Sequence, residues 1–87
     1  MARNRSRIDI AADILEALTN GYLVKKRDIM YKALVNSEQL KEYITVLLDS
    51  QLIEHDAKKS TYKPTEKGFN FLKAYANVHS YLLFKNE

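Results

Sequence analysis

Between Ala33 and Ser37 the chain must close one helix and open the next, with only Leu34-Val35-Asn36 in which to do it. Upstream, Ile29, Met30, Ala33 and Leu34 make an apolar stripe, which predicts a short helix over about Lys26–Ala33. Downstream, Leu40, Ile44, Leu47 and Leu48 stand at i, i+4, i+7 and i+8, one face of a helix from Ser37 to about Ser50. Leu34-Val35 is the turn. Asn36 is a good acceptor for a free N–H at a helix start, and Gln39 three residues on can return the bond, so a reciprocal capping box is expected. A short helix, a tight turn and a capped second helix form a unit around which the rest of the fold has to be arranged.

The flanking sequence supplies the other elements. Ile8, Ala11, Ala12, Ile14, Leu15 and Leu18 recur at helical spacing, predicting a first helix from about Arg7 to Leu18 with Asp9, Asp13 and Glu16 off its apolar stripe. Asn20-Gly21 ends it, because Gly takes the left-handed position after a helix cheaply. Tyr22-Leu23-Val24 is short and extended and can pair with a later strand. Leu52–Asp56 and Thr61–Pro64 are expected as two strands joined by Ala57-Lys58-Lys59-Ser60, with Pro64 at a strand end, where its missing N–H does least harm. Thr65 caps a last helix that extends as far as Leu83. With two glycines and one proline in 87 residues there is little loop, so helices should dominate. One domain of this size buries a thin core, so stability is marginal or shared with a partner chain.

The order helix, turn, helix, hairpin, helix over Arg27–Gly68 is that of a winged helix-turn-helix. The fold class is therefore mainly α with a small β-hairpin: a winged helix-turn-helix with an extended C-terminal dimerisation helix. Residues 1–6 are expected to be a flexible basic arm, 7–64 the DNA-binding domain, and 65–87 the dimerisation helix and tail. The third helix is the candidate reader of bases. Its first turns present Ser37, Glu38, Gln39, Lys41, Glu42 and Thr45; Gln can bond adenine through two contacts, Lys can reach guanine, and Glu can accept from cytosine. Against strong phosphate attraction, Glu38, Glu42 and Asp49 share its exposed face. Lys58-Lys59 at the hairpin tip suit phosphates beside the groove, although a charged tip also blunts a sheet edge. Lys25-Lys26-Arg27 open the second helix, where free N–H groups already favour anions. Arg3, Arg5 and Arg7 read equally as a backbone-seeking arm and as a solubilising terminus.

Net charge is +3, a mild excess that by itself only tolerates polyanions. The absence of cysteine removes disulfides, thiolate catalysis and Cys-ligated zinc. His55 and His79 have no carboxylate at metal-ligand spacing, and no phosphate loop or nucleophile motif is present, so no enzyme, cofactor or metal is expected. Apolar runs are too short for a membrane span, and the basic start lacks the apolar core of a signal peptide; a cytoplasmic, nucleoid-associated protein is expected, with no membrane partner and no evident small-molecule effector. In the last helix Phe69, Leu72, Ala76, His79 and Leu83 form a heptad-type seam, with Phe71, Tyr75, Val78 and Leu82 beside it. One small domain has little room to cover both stripes, so pairing with a second copy is expected, and two reading helices would then face two half-sites.

Arg7-Ile8-Asp9-Ile10, Asp13–Leu18, Ile29–Ala33, Gln39–Tyr43, Leu52-Ile53-Glu54 and Tyr62–Phe69 resemble the archaeal winged-helix regulators. That loose group overlaps the PadR- and MarR-like families and the small basic DNA-binding proteins of thermophilic archaea. The resemblance covers about Arg7 to Tyr75, and Thr65-Glu66-Lys67-Gly68 is its most specific piece. It implies a homodimer joined through the C-terminal helices that binds duplex DNA, as a transcription regulator or as a coating, segregation or architectural protein. By position it puts Ser37, Gln39, Lys41 and Tyr43 on the recognition helix and Lys58 and Lys59 on the wing. The chain departs from the group at Gln51, where Gly is usual before the Leu-Ile of the wing, and in a shorter C-terminal helix. A protein-interaction module on the same fold is the competing expectation, motivated by the acids of the third helix and the aromatic last one.

Overall fold

The computed structural model describes residues 5–19, 25–58 and 61–81. The elements run α1 (Arg7–Thr19), α2 (Lys26–Ala33), α3 (Ser37–Asp49), β1 (Ile53–Asp56), β2 (Thr61–Pro64) and α4 (Glu66–Tyr81). The expected strand at Tyr22–Val24, the stop at Asn20-Gly21, and Arg3, Lys59, Leu82 and Leu83 lie outside the described residues, as does the side chain of His79.

Each helix starts and stops for a local reason. Ser6 and Asp9 cap α1 reciprocally: the Asp9 N–H donates to Ser6 Oγ and the Ser6 N–H to Asp9 Oδ2, both at 3.1 Å. At α3 the Gln39 N–H donates to Asn36 Oδ1 at 2.8 Å, and the Asn36 N–H donates to Gln39 Oε1 at 3.0 Å. Both internal helices end on left-handed residues that are not glycine. Leu34 follows α2 with φ 57, and Gln51 follows α3 with φ 64. The Leu52 N–H reaches back to the Leu47 carbonyl and the Gln51 N–H to that of Leu48, the bond pattern that closes a helix around a left-handed residue.

Ile14 and Leu15 of α1 and Leu47 of α3 form the fully buried centre, joined by Leu18, Ile29, Ala33, Val35, Leu40, Tyr43 and Ile53. α1 packs against α2, α3, β2 and α4, so it is the spine of the domain. On α3 the core face is Leu40, Tyr43 and Leu47, spaced three and four, and Leu48 is displaced to the rim at 36% exposure. Ile8, in the first turn of α1, stands outside the core. β1 and β2 pair antiparallel from Ile53 opposite Pro64 to Asp56 opposite Thr61, with Pro64 at the end of its strand as expected.

The start of α4 clamps the end of α3. The Thr65 N–H donates to the Leu52 carbonyl, Thr65 Oγ1 donates to the Gln51 carbonyl at 2.7 Å and accepts from the Gly68 N–H, and Lys67 Nζ donates to the Ser50 carbonyl. Gly68 is required by space: a Cβ there would overlap the Leu52 carbonyl oxygen. The Thr-Glu-Lys-Gly sequence is thus a docking device for the last helix.

The expected flexible arm of residues 1–6 is corrected at its inner end. Arg5 is tied to the body: its guanidinium donates to Asp13 Oδ2 at 2.7 Å, to the Ala33 carbonyl at 2.7 Å and to the Leu34 carbonyl at 2.8 Å. It satisfies orphan carbonyls at the end of α2.

Candidate nucleic-acid interface

Three elements converge beside α3. Its Lys41, Thr45 and Leu48 share a hollow of about 500 Å³ with Lys26 at the start of α2 and with Thr61 and Tyr62 of β2. The floor is apolar, made by Ile29, Leu40 and Ile44. Lys25, Lys26 and Arg27 are all exposed, and among the described residues no side chain caps the start of α2, which leaves that helix end open to an anion. The exposed flank of α3 and one strand of the hairpin therefore lie side by side, with a basic helix start next to them.

The exposed positions of α3 differ in kind. Ser37, Glu38, Lys41, Glu42 and Thr45 are open. The outermost direction carries Glu38, Glu42 and Asp49, whereas Ser37, Lys41, Thr45 and Leu48 lie on the flank turned towards the hairpin and α2. Arg7 offsets one of the acids, donating to Glu42 Oε2 at 3.0 Å and standing 5.4 Å over the Tyr43 ring. The hydrogen bond to Glu42, followed by charge interactions with the Tyr43 phenol group and with Glu42, raises this guanidinium above its ordinary range. The Thr45 hydroxyl donates to the Lys41 carbonyl.

Two expected readers of bases are displaced. Tyr43 is 5% exposed, because its spacing from Leu40 and Leu47 turns it into the core. Gln39 has its Oε1 committed to the Asn36 N–H, so it cannot also offer the paired donor and acceptor that adenine recognition needs. Arg5, expected at phosphates, has its guanidinium engaged by the end of α2 and by Asp13. At the hairpin Lys58 is exposed and its N–H donates to Asp56 Oδ1, which shapes the turn. Tyr62 and Leu48 join the site without having been expected there. Alternation along β2 could have pointed to Tyr62, which meets His55 edge-to-face with ring centres 5.6 Å apart.

The residues expected at a dimer interface divide. Phe71 and Leu72 pack against the domain's own core, and the Tyr75 hydroxyl donates to Asp9 Oδ1. Partial burial, followed by that bond, pushes the Tyr75 phenol above its ordinary range. Phe69 is 48% exposed, Ala76 and Val78 are open, and Tyr81, not expected in this role, is more exposed still. Phe69, Leu72, Tyr75 and Ala76 border a second hollow of about 500 Å³ against Glu16 and Thr19 of α1.

Among the described residues no helix is long and apolar enough to cross a membrane, and no cluster of His, Asp and Glu has the geometry to hold a metal ion. No curated protein matches the chain. A family model described as winged helix-turn-helix matches residues 4–82, nearly the whole chain and every element from α1 to α4. With the helix pair, the hairpin and the docked last helix all in that span, the chain belongs to the winged helix-turn-helix family, a family of DNA-binding domains.

Proposed function

We propose that this protein binds double-stranded DNA as a homodimer and regulates transcription, in the manner of the PadR- and MarR-like regulators it resembles. The observation that carries the proposal is the convergence of Lys26, Lys41 and the β2 strand around one hollow, which puts a helix flank, a basic helix start and a hairpin on a single face. In this arrangement α3 enters the major groove on its Ser37, Lys41 and Thr45 flank, with Glu38 at its edge. Lys25, Lys26, Arg27, Lys58 and, from the tip of the wing, Lys59 meet phosphates and set the register. Arg7 contributes by neutralising Glu42, an acid that would otherwise repel the backbone. Phe69, Ala76 and Val78 are the open part of the pairing surface on α4, and His79, Leu82 and Leu83 are assigned to it from their sequence spacing alone.

Fluorescence anisotropy on a labelled duplex at several salt concentrations tests the proposal. Affinity should fall steeply with salt, and removing any one phosphate-contacting cation should reduce the slope of log K against log salt by about 1. No binding at low salt ends the DNA reading. A footprint that lengthens with protein concentration would replace local regulation by a coating or architectural role. The exposed acids Glu38 and Asp49 favour a second reading, a protein-interaction module on the same fold. A protein partner whose footprint covers α3, together with no duplex binding, supports that one.

A further inference from the structure

Arg7 of α1 and Glu42 of α3 form an ion pair at 3.0 Å, and their side chains stay 70% and 54% exposed. A pair so open to water contributes little to stability, so the fold does not need it. It is nonetheless held in one place. Ser6 and Asp9 cap the turn that carries Arg7, and Arg5 just before it is bonded to the end of α2 and to Asp13. The guanidinium also stands over the ring of the buried Tyr43, next to Glu42 on α3. Both partners keep unused bonding capacity. Glu42 Oε1, and every Arg7 guanidinium N–H except the one given to Glu42, has no hydrogen-bond partner among the described residues.

We infer that Glu42 and Arg7 act as one unit that reads a C·G base pair in the major groove, Glu42 accepting from the cytosine and Arg7 donating to its guanine. The inference rests on the DNA reading and names a base pair within it. An ionised carboxylate has acceptors only. On the major-groove edge guanine offers acceptors, thymine an acceptor and a methyl group, and adenine a donor beside an acceptor. Cytosine offers its N4 donor with no acceptor next to it, so it suits a carboxylate best. With Oε2 held by Arg7, Oε1 is the oxygen left to accept from N4. In the same pair guanine O6 and N7 are acceptors, and they match the remaining N–H groups of the guanidinium. Arg7 is thus both a positioning residue for Glu42 and a reader, which brings α1 into a face otherwise made by α2, α3 and the hairpin. Glu42 stands on the outermost direction of α3, where an acid without such a role would only repel the duplex.

The test is a selection of bound sites from a randomised duplex library by the full chain, followed by anisotropy titrations on every single-base-pair variant of the selected site. The parent should select C·G at one position, and replacing that pair should weaken binding about tenfold or more. Glu42→Ala removes a reader and a negative charge together. It should bind unrelated duplex more tightly than the parent while losing the preference at that position only. Glu42→Gln should move the preference there to adenine, whose N6 and N7 match an amide. Arg7→Lys keeps the charge and changes the geometry, so the salt slope should stay and the preference at the same position should weaken. All of these variants should keep the parent's urea midpoint closely, because the pair is exposed. A preference that survives Glu42→Ala, or that falls equally at all positions, overturns the inference. A preference untouched by Arg7→Lys overturns the pair as a unit. Duplex binding without selection of C·G removes this inference and leaves the DNA reading standing, whereas no duplex binding at low salt ends the DNA reading itself.

Discussion

Leu34 and Gln51 hold left-handed backbone without being glycine, at φ 57 and φ 64. Each Cβ then crowds the following carbonyl, at a cost of roughly 1–2 kcal/mol, partly offset because glycine is freer in the unfolded chain. Leu34 is 77% exposed, so little packing is lost with its side chain. Leu34→Gly and Gln51→Gly should therefore each stabilise the domain by about 0.5–1 kcal/mol, read as a higher urea midpoint at unchanged slope. The opposite holds at Gly68, where a methyl group meets the Leu52 carbonyl. Gly68→Ala should destabilise by about 2 kcal/mol through forced displacement of the hairpin start. Tyr75 links α4 to Asp9 and carries a pH signature. Its phenol is raised in the folded state, so its contribution is complete below the unfolded value of about 10 and declines as pH rises through the higher folded value. Tyr75→Phe should cost about 1 kcal/mol at neutral pH, and the difference from the parent should shrink in strongly alkaline solution.

At the scale of elements, the helix pair is held from both ends by chain that lies outside it. Arg5 closes α2 from the N-terminal side, and Thr65 with Lys67 closes α3 from the C-terminal side. Carbonyls at helix ends need partners, and here the neighbouring elements provide them. Arg5→Ala should destabilise the domain by about 2 kcal/mol, measured by chemical denaturation, because a largely buried guanidinium bonded to two carbonyls and a carboxylate is lost. The salt slope of duplex binding should not change, since the Arg5 guanidinium is engaged within the domain. A reduced slope would place Arg5 back on the DNA face. The Gln39 cap gives a parallel expectation. Gln39→Ala should lower stability by about 1 kcal/mol and weaken all duplex sequences alike, whereas loss confined to a preferred site would restore direct reading by this residue.

At the scale of the whole molecule, the basic face and the open part of α4 are separate surfaces. Phe69, beside Glu16 and Thr19, borders the hollow between α4 and α1, while the Lys26 and Lys41 hollow lies between α2, α3 and β2. In the proposed dimer, pairing through α4 would leave both basic faces free, as binding to two half-sites requires. Phe69→Lys should give a monomer by light scattering, with duplex affinity reduced at least tenfold because the two faces no longer act together. If the variant stays dimeric, the seam lies elsewhere on α4. Variants of Lys25, Lys26 and Arg27 should leave the mass unchanged while altering the salt dependence.

Order and limits of the elements were legible in the sequence because their causes are local. The bounds of α2, the Asn36–Gln39 cap and the span of β2 depend on side chains within a few residues of one another. The side of α3 that meets the core was not legible, because Tyr43 and Leu48 both extend its apolar stripe and only packing against α1 and β1 chooses Tyr43. Arg5 reads as one of several free basic residues until α2 presents the carbonyls of Ala33 and Leu34 to it across the fold. The hollow with Thr61 on its wall exists only once α2, α3 and β2 come together. Short-range hydrogen bonding and periodicity are written along the chain, whereas the occupancy of a charge and the enclosure of a hydroxyl are set by residues distant in sequence.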